Sequence, residues 1–167
     1  MATILRLTFV FALASLLCSC ATAPAPVANL ATAVKPTRLQ KVRTTAYTNN
    51  EGSGSKNAMG KRLSNAGIKS AASDWSRFPL GTRFRVVGSG EEYVIDDYGG
   101  ALIGTNSIDL YKPSKLEMRR WGVRHVDIEV VRWGSEEESL KVLRPRKGAR
   151  IVRRMIASLE NKKPQQP

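Results

Sequence analysis

Alternating apolar and polar residues predict β-strands through the middle of the chain. Residues 41–47 and 125–132 alternate with a period of two, which is typical of strands with one buried face. Residues 83–87 also alternate, and after Gly88-Ser89-Gly90 the chain returns through residues 91–96. Two such runs around a glycine-rich turn indicate a hairpin. The pattern therefore predicts a strand-rich domain.

Two segments have helical signals instead. Ser114 is placed to cap a short helix, Glu117 completes a capping box, and Gly122 ends it. Near the C-terminus, five apolar residues fall on one helical face opposite several arginines: Ile151, Val152, Met155, Ile156 and Leu159. This amphipathic helix has two interpretations, binding to a membrane surface or anionic wall polymer, or docking on the strand domain.

Residues 95–111 combine acidic side chains with a glycine-rich turn. Asp97 and Asp109 come just after Ile95 and Ile108, β-branched apolar residues of the kind that fill a buried strand, so both are predicted at strand ends. Gly99, Gly100 and Gly104 lie between them and can adopt positive φ or let a ligand approach the backbone. Clustered carboxylates raise one another's pKa, which is typical of functional sites. We therefore expect an acidic groove here.

Length and net charge restrict the number of domains and the class of partner. The chain has 167 residues, enough for one domain with tails, and a formal charge of +13. The excess charge is spread along the chain and indicates an anionic partner. Charge alone would fit a nucleic-acid binder, but the N-terminal export signal disfavours that class, and we predict no nucleic-acid partner.

The N-terminus has the features of a secretion signal. An apolar run, residues 7–17, is too short for a typical membrane-spanning helix. Leu17-Cys18-Ser19-Cys20 resembles a bacterial lipobox, which makes Cys20 the lipidated first residue of the mature protein; ordinary cleavage after Ala23 is the alternative. We predict a signal peptide over residues 1–20 and a flexible tether over 21–40. No cysteine follows Cys20, so we expect no disulfide, structural metal or cofactor.

Several motifs in order resemble the three-aspartate (3D) domain, which also forms the catalytic part of the membrane-bound lytic transglycosylase A family. The matching motifs are Thr45-Ala46-Tyr47, Asp74-x-x-x-x-Pro79-Leu80-Gly81-Thr82, Asp97-x-Gly99-Gly100-Ala101, Ile108-Asp109-Leu110-Tyr111 and Trp121-Gly122-Val123-Arg124. The resemblance implies an all-β fold, a six-stranded double-psi β-barrel over residues 41–134. Residues 135–167 are then a basic C-terminal extension that contains the amphipathic helix.

The resemblance also implies roles for individual residues. The aspartate matching Asp109 protonates the leaving glycosidic oxygen and then deprotonates the C6 hydroxyl of the sugar, forming a 1,6-anhydro-muramyl product. Asp97 tunes this acid and stabilises the transition state, and Asp74 orients the loop or the sugar. The expected substrate-binding residues are Asp74, Thr45, Tyr47, Gly99, Gly100 and Tyr111.

The expected function is therefore cleavage of peptidoglycan glycan strands by a lytic transglycosylase or a related hydrolase of O-glycosyl bonds. The alternative is a non-catalytic, expansin-like module that binds cell-wall glycans. The expected location is the cell envelope, as an outer-membrane lipoprotein facing the periplasm. Its membrane contacts would be the lipid anchor and, on one interpretation, the C-terminal helix.

Overall fold

The computed structural model describes residues 36–50 and 54–162. The predicted signal peptide, Cys20 and most of the predicted tether lie outside these residues. Six strands are present: β1 Thr37–Tyr47, β2 Lys69–Ser73, β3 Arg83–Val86, β4 Glu92–Asp97, β5 Ile108–Tyr111 and β6 Arg124–Arg132. The helices are α1 Lys115–Trp121, α2 Glu136–Leu143 and α3 Arg150–Glu160, with short 3-10 turns at Gly100–Leu102 and Arg144–Arg146.

The six strands close into a barrel in the order β1-β5-β2-β4-β3-β6. The pairs β1–β5 and β2–β4 are parallel, and the other four pairs are antiparallel. The predicted all-β, six-stranded barrel is confirmed. Closure removes free sheet edges, so every strand has two hydrogen-bonded neighbours.

The first strand begins earlier than the sequence pattern predicted. The predicted tether extends to residue 40, whereas β1 already starts at Thr37, which pairs with Val130 of β6. The register of this pair shifts between Leu39 and Val42, and Lys41 between them has φ 51°. Such a bulge interrupts the two-residue alternation, so the pattern becomes visible only after it.

The C-terminal segment packs on the barrel. Leu143 of α2 and Val152, Met155 and Leu159 of α3 are buried in the same apolar cluster as the barrel residues. Of the two interpretations of the amphipathic helix, the structure therefore shows the docked one. Within residues 36–50 and 54–162, no helix has the length and apolar character needed to cross a membrane.

Local turn chemistry holds these elements in place. The predicted Ser114 cap is present, since its hydroxyl accepts from the Glu117 backbone N–H and donates to the Glu117 carboxylate, and Gly122 ends α1 with φ 61°. Gly134 joins the barrel to α2 and lies against the Pro79-Leu80 backbone. A Cβ on Gly134 would approach the Leu80 carbonyl oxygen to 2.2 Å, so this position requires glycine.

Candidate active site

Four residues from four neighbouring strands form a row across the barrel. Thr45 of β1 pairs with Asp109 of β5, Asp109 pairs with Ala72 of β2, and Ala72 pairs with Asp97 of β4. Directly paired residues point to the same face of a sheet. The neighbours of Asp109 in the chain, Ile108 and Leu110, are fully buried in the core. The row, which we call the aspartate row, therefore lies on the opposite face.

The two aspartates lie on either side of a small residue. Adjacent strands are about 4.8 Å apart, so the Asp97 and Asp109 backbones are separated by roughly 10 Å across Ala72. Only 4% of Ala72 is exposed, so neighbouring side chains cover its methyl group. Asp97 and Asp109 are each partly exposed on either side of it.

A bulge brings a third carboxylate to the same face. The β2–β4 register moves from Ala71–Ile95 to Ala72–Asp97, which leaves Asp96 as an extra residue. The Asp96 Oδ2 atom accepts hydrogen bonds from the Ser70 hydroxyl and the Asn57 side-chain amide, both 2.7 Å long. Burial raises the pKa of Asp96. Sequence reasoning did not assign a role to Asp96, because regular alternation would place consecutive residues on opposite faces.

The Tyr47 hydroxyl lies where the three carboxylates converge. Burial raises the pKa of Tyr47, and the charges of Asp97, Asp96 and Asp109 raise it further. Its oxygen atom is buried, and the Tyr47 hydroxyl interacts with Asp97 in a way that favours the charged form of that carboxyl and so lowers its pKa. The Asp96 Oδ1 atom is also buried and has no partner of good hydrogen-bond geometry among the described residues. Such an atom is unusual, since buried polar atoms normally have partners.

Tyr111 supports Tyr47 from one side. Their ring centroids are 5.6 Å apart, and the Tyr111 hydroxyl donates a 2.9 Å hydrogen bond to Asn49 Oδ1. Only 5% of Tyr111 is exposed. Its position therefore suits it to orient Tyr47 more than to contact a large ligand.

Asp97 is held firmly and has a strongly shifted pKa. Burial raises its pKa to about 6, with a further increase from Asp96, while hydrogen bonds to its carboxylate oppose the shift. One of these bonds comes from the Tyr98 backbone N–H at 2.9 Å. The Trp75 indole N–H donates to the Asp97 carbonyl oxygen at 2.8 Å. This carboxyl can therefore exchange a proton close to neutral pH.

Asp109 is fixed from the neighbouring strand. The Thr45 hydroxyl donates a 2.7 Å hydrogen bond to Asp109 Oδ1. The two residues are partners in the parallel β1–β5 ladder, so the bond links side chains that the register already places together. Asp109 remains half-buried and therefore partly accessible to solvent.

Asp74 lies behind the glycine loop, residues 98–106, and not in the row. Only 2% of Asp74 is exposed, and both carboxylate oxygens accept backbone hydrogen bonds. Oδ1 accepts from Ser76 at 2.8 Å and Oδ2 accepts from Gly104 at 2.7 Å. Two roles were expected for Asp74, orienting the loop or orienting the sugar, and this geometry supports the first.

Fewer glycines of the loop adopt positive φ than the sequence allowed. Gly104 has φ 86°, whereas Gly99 has φ −132° and Gly100 is not in the positive-φ region. Only Gly104 therefore needs the left-handed conformation. Helix α3 lies beside this loop, since a Cβ on Gly100 would be 3.7 Å from Ile151 and one on Gly104 would be 3.1 Å from an Arg154 nitrogen.

The described residues contain no cluster of three or more histidine, cysteine, aspartate or glutamate side chains suited to hold a metal ion. The row and the neighbouring Tyr47 present carboxyl groups, the Thr45 hydroxyl and a phenol.

Comparison with known proteins identifies the motifs around this row. The model of the 3D domain family matches residues 69–132. This part of the chain is a 3D domain. The matched segment runs from β2 to β6 and contains Asp74, Asp97 and Asp109.

The 3D domain needs β1 to complete its barrel, although β1 precedes the matched residues. That strand provides Thr45 and Tyr47, so the aspartate row combines the matched segment with one strand outside it.

A curated relative of the chain is the cell wall-binding protein YocH of Bacillus subtilis strain 168. It is 41% identical over 92 residues, which cover 54% of this chain and 31% of the relative. The chain thus spans less than a third of that protein's length.

Proposed function

We propose that this 3D domain cleaves the glycan strands of peptidoglycan, as a lytic transglycosylase or a related enzyme acting on O-glycosyl bonds. The observation that carries the proposal is the convergence of Asp97 and Asp109 on Tyr47, with Ala72 between the two acids. The raised pKa of Asp97 supports it, because a carboxyl group that exchanges a proton near neutral pH suits acid–base chemistry.

Asp109 is the proposed acid and base. Its carboxyl group gives a proton to the glycosidic oxygen as that bond breaks, and the resulting carboxylate takes the proton of the C6 hydroxyl as that oxygen attacks the anomeric carbon. The product is a 1,6-anhydro sugar, and no water is consumed. Thr45 holds Asp109 in one orientation through both steps.

Asp97 is the proposed second member of the catalytic pair. With a pKa of about 6, it changes charge within the pH range of the cell envelope. In its charged form it stabilises the positive charge that develops on the sugar ring in the transition state. Tyr47 lies among the carboxylates, and its proposed contribution to substrate binding is to hold Asp97 through the phenol.

The remaining site residues position the substrate or the loop. Asp74 holds the glycine loop through the Gly104 backbone N–H. Gly99 and Gly100 lie two and three residues after Asp97 and allow a sugar to approach the backbone. Tyr111 keeps the Tyr47 ring in place.

A second candidate function is binding to cell-wall glycan without cleavage. The name of the Bacillus subtilis relative, a cell wall-binding protein, favours this candidate. The same row would then bind a sugar between its acids without proton transfer.

Digestion of purified sacculi distinguishes the two functions. The full chain is expected to release anhydro-muramyl products that mass spectrometry detects, and Asp109→Asn is expected to abolish them while sacculus binding remains. Glu137→Gln, an exposed change on α2, is the matched control and should leave product formation unchanged. Binding by the full chain with no soluble product would establish the binding module and reject the enzyme.

We also propose that the protein is exported and anchored through a lipid on Cys20, as an outer-membrane lipoprotein facing the periplasm. The lipobox-like sequence before Cys20 supports this location. Cys20→Ser is expected to move the protein from the membrane fraction to the soluble fraction. Retention of Cys20→Ser in the membrane fraction would contradict lipid anchoring.

A further inference from the structure

A basic groove lies beside the aspartate row and has no part in the function proposed above. Its volume is about 630 Å³, and it is formed by the bulged part of β1, the residues after Asp74, Asn106-Ser107, and parts of β6 and the C-terminal segment. Sites of this size, within roughly 300–1,000 Å³, commonly bind small molecules or segments of polymers.

The charged side chains that line the groove are all basic. Lys41, Arg43, Arg77 and Lys162 line it, and no acidic residue does. Lys162 is paired with Glu136, but Arg77 has no ion pair with any described residue, and Arg43 has only a 3.4 Å contact with the Ser107 hydroxyl. Two exposed guanidinium groups are therefore available, and this group binds carboxylate and phosphate in a bidentate manner.

An aromatic platform forms part of the same groove. The Phe78 and Trp133 rings are stacked at 6.2 Å with an interplanar angle of 11°. Phe78 is 5% exposed and Trp133 is 45% exposed, so Phe78 supports one face of an indole whose other surface meets solvent. An indole held in this way presents a flat, apolar surface next to charged groups.

The groove continues into the aspartate row along β1. Arg43 precedes Thr45 and Tyr47 at intervals of two residues, so the three side chains share one face of the strand. The step from Arg43 to Thr45 is roughly 7 Å. Arg43 also pairs with His125 of β6, which lines the groove. A chain-like ligand could therefore occupy the groove and reach the row without crossing the barrel.

We propose that this basic groove is a binding site for an acidic polysaccharide, with a sugar ring stacked on Trp133 and its carboxylate or phosphate groups bound by Arg43 and Arg77. Neither feature alone would select this ligand. Cations without the platform would fit any polyanion, and the platform without cations would fit a neutral glycan. Because the proposal concerns binding and not cleavage, it holds or fails independently of the catalytic role of Asp109.

Binding by the full chain can be measured by isothermal titration calorimetry at physiological salt. The probes are polygalacturonate, which carries carboxylates, phosphomannan, which carries phosphates, a neutral N-acetylglucosamine hexamer, and duplex DNA. The variants are Trp133→Ala and the double charge reversal Arg43→Glu/Arg77→Glu. The matched control reverses the same charge on exposed residues of α1, as Lys115→Glu/Arg119→Glu.

At least one acidic polysaccharide is expected to bind, and the stronger one identifies the acid group. Each groove variant should weaken that binding by about tenfold or more, and the control by less than about twofold. Trp133→Phe retains a ring and should keep most of the affinity, which separates stacking from a folding defect. These results should be the same in Asp109→Asn.

Three results would overturn the proposal. The first is equal weakening by the control pair, which would show a general effect of net charge. The second is equal affinity for the neutral hexamer. The third is tighter binding of duplex DNA that depends on Arg43 and Arg77 but not on Trp133, which would make the groove a nucleic-acid site.

Discussion

The Thr45 hydroxyl and the Asp109 carboxylate are joined by a 2.7 Å hydrogen bond between two parallel strands of the barrel. Because the β1–β5 register already places the two side chains opposite each other, the bond requires no loop to form. It therefore fixes the orientation of the proposed acid with the rigidity of the sheet, which is how a catalytic group is best held.

Loss of this hydrogen bond should reduce activity without unfolding the domain. Thr45→Val has nearly the same shape but lacks the hydroxyl, so Asp109 loses its fixed orientation. We expect product release from sacculi to fall by about 10- to 100-fold. Thr45→Ser retains the donor and should restore most of the activity. Equal activity of the valine and serine variants, with unchanged thermal unfolding, would contradict a role for this bond.

The raised pKa of Asp97 predicts that this residue destabilises the fold at neutral and alkaline pH. A carboxyl whose pKa is about 6 when folded and 3.8 when unfolded favours folding only while protonated. Its stabilising contribution is full below about pH 4 and is lost as the pH rises through 6. At pH 8, Asp97→Asn should therefore increase the free energy of unfolding by roughly 1–3 kcal/mol, after allowance for partial solvent exposure.

Urea unfolding at two pH values checks this prediction. The stabilisation by Asp97→Asn should be present at pH 8 and absent near pH 4, while Glu137→Gln should change neither value. Stabilisation of the same size at both pH values would mean that the substitution acts through packing and not through the charge of Asp97. A stabilising change that also removes activity would be typical of a functional site.

The elements with strong local signals could be predicted from the sequence. The β3–β4 hairpin follows from alternation around Gly88-Ser89-Gly90, and α1 follows from Ser114 and Glu117. Strand β2 has no such signal, because Lys69–Ser73 is composed of small and polar residues that the barrel buries. Its place between β4 and β5 depends on long-range pairing, which local patterns do not contain.

In the candidate site too, some residues could be predicted from the local sequence and others could not. Asp97 and Asp109 could be selected because each comes soon after a β-branched apolar residue and flanks the glycine turn. The position of Asp96 at the site could not be predicted, because it depends on a bulge in the β2–β4 pair. The position of Tyr47 among three carboxylates also depends on which strands become neighbours in the closed barrel.

Removal of the Asp74 side chain should release the glycine loop. Asp74→Ala leaves the backbone N–H groups of Ser76 and Gly104 without their acceptors, which should lower the free energy of unfolding by roughly 2–4 kcal/mol. The amide of Gly104 should also exchange its hydrogen faster. Asp74→Asn retains one acceptor oxygen and should give an intermediate effect. If Asp74→Ala weakened sacculus binding with no change in Gly104 exchange, a direct contact with the sugar would replace the loop-orienting role.

The docking of α3 makes the C-terminal helix part of the domain's stability. Met155 is fully buried, so Met155→Ala should leave a cavity and lower the free energy of unfolding by about 2–5 kcal/mol. Ser158→Ala, on the exposed side of the same helix, should have little effect on the free energy of unfolding.

A helix that instead bound a membrane through its apolar face would give a different result. Met155→Ala would then weaken flotation with anionic vesicles and leave urea unfolding unchanged. Since Ile151 and Arg154 lie beside the glycine loop, loss of α3 packing should also increase hydrogen exchange in residues 99–104. Unfolding and exchange that both remain at wild-type values would show that the barrel does not depend on this helix.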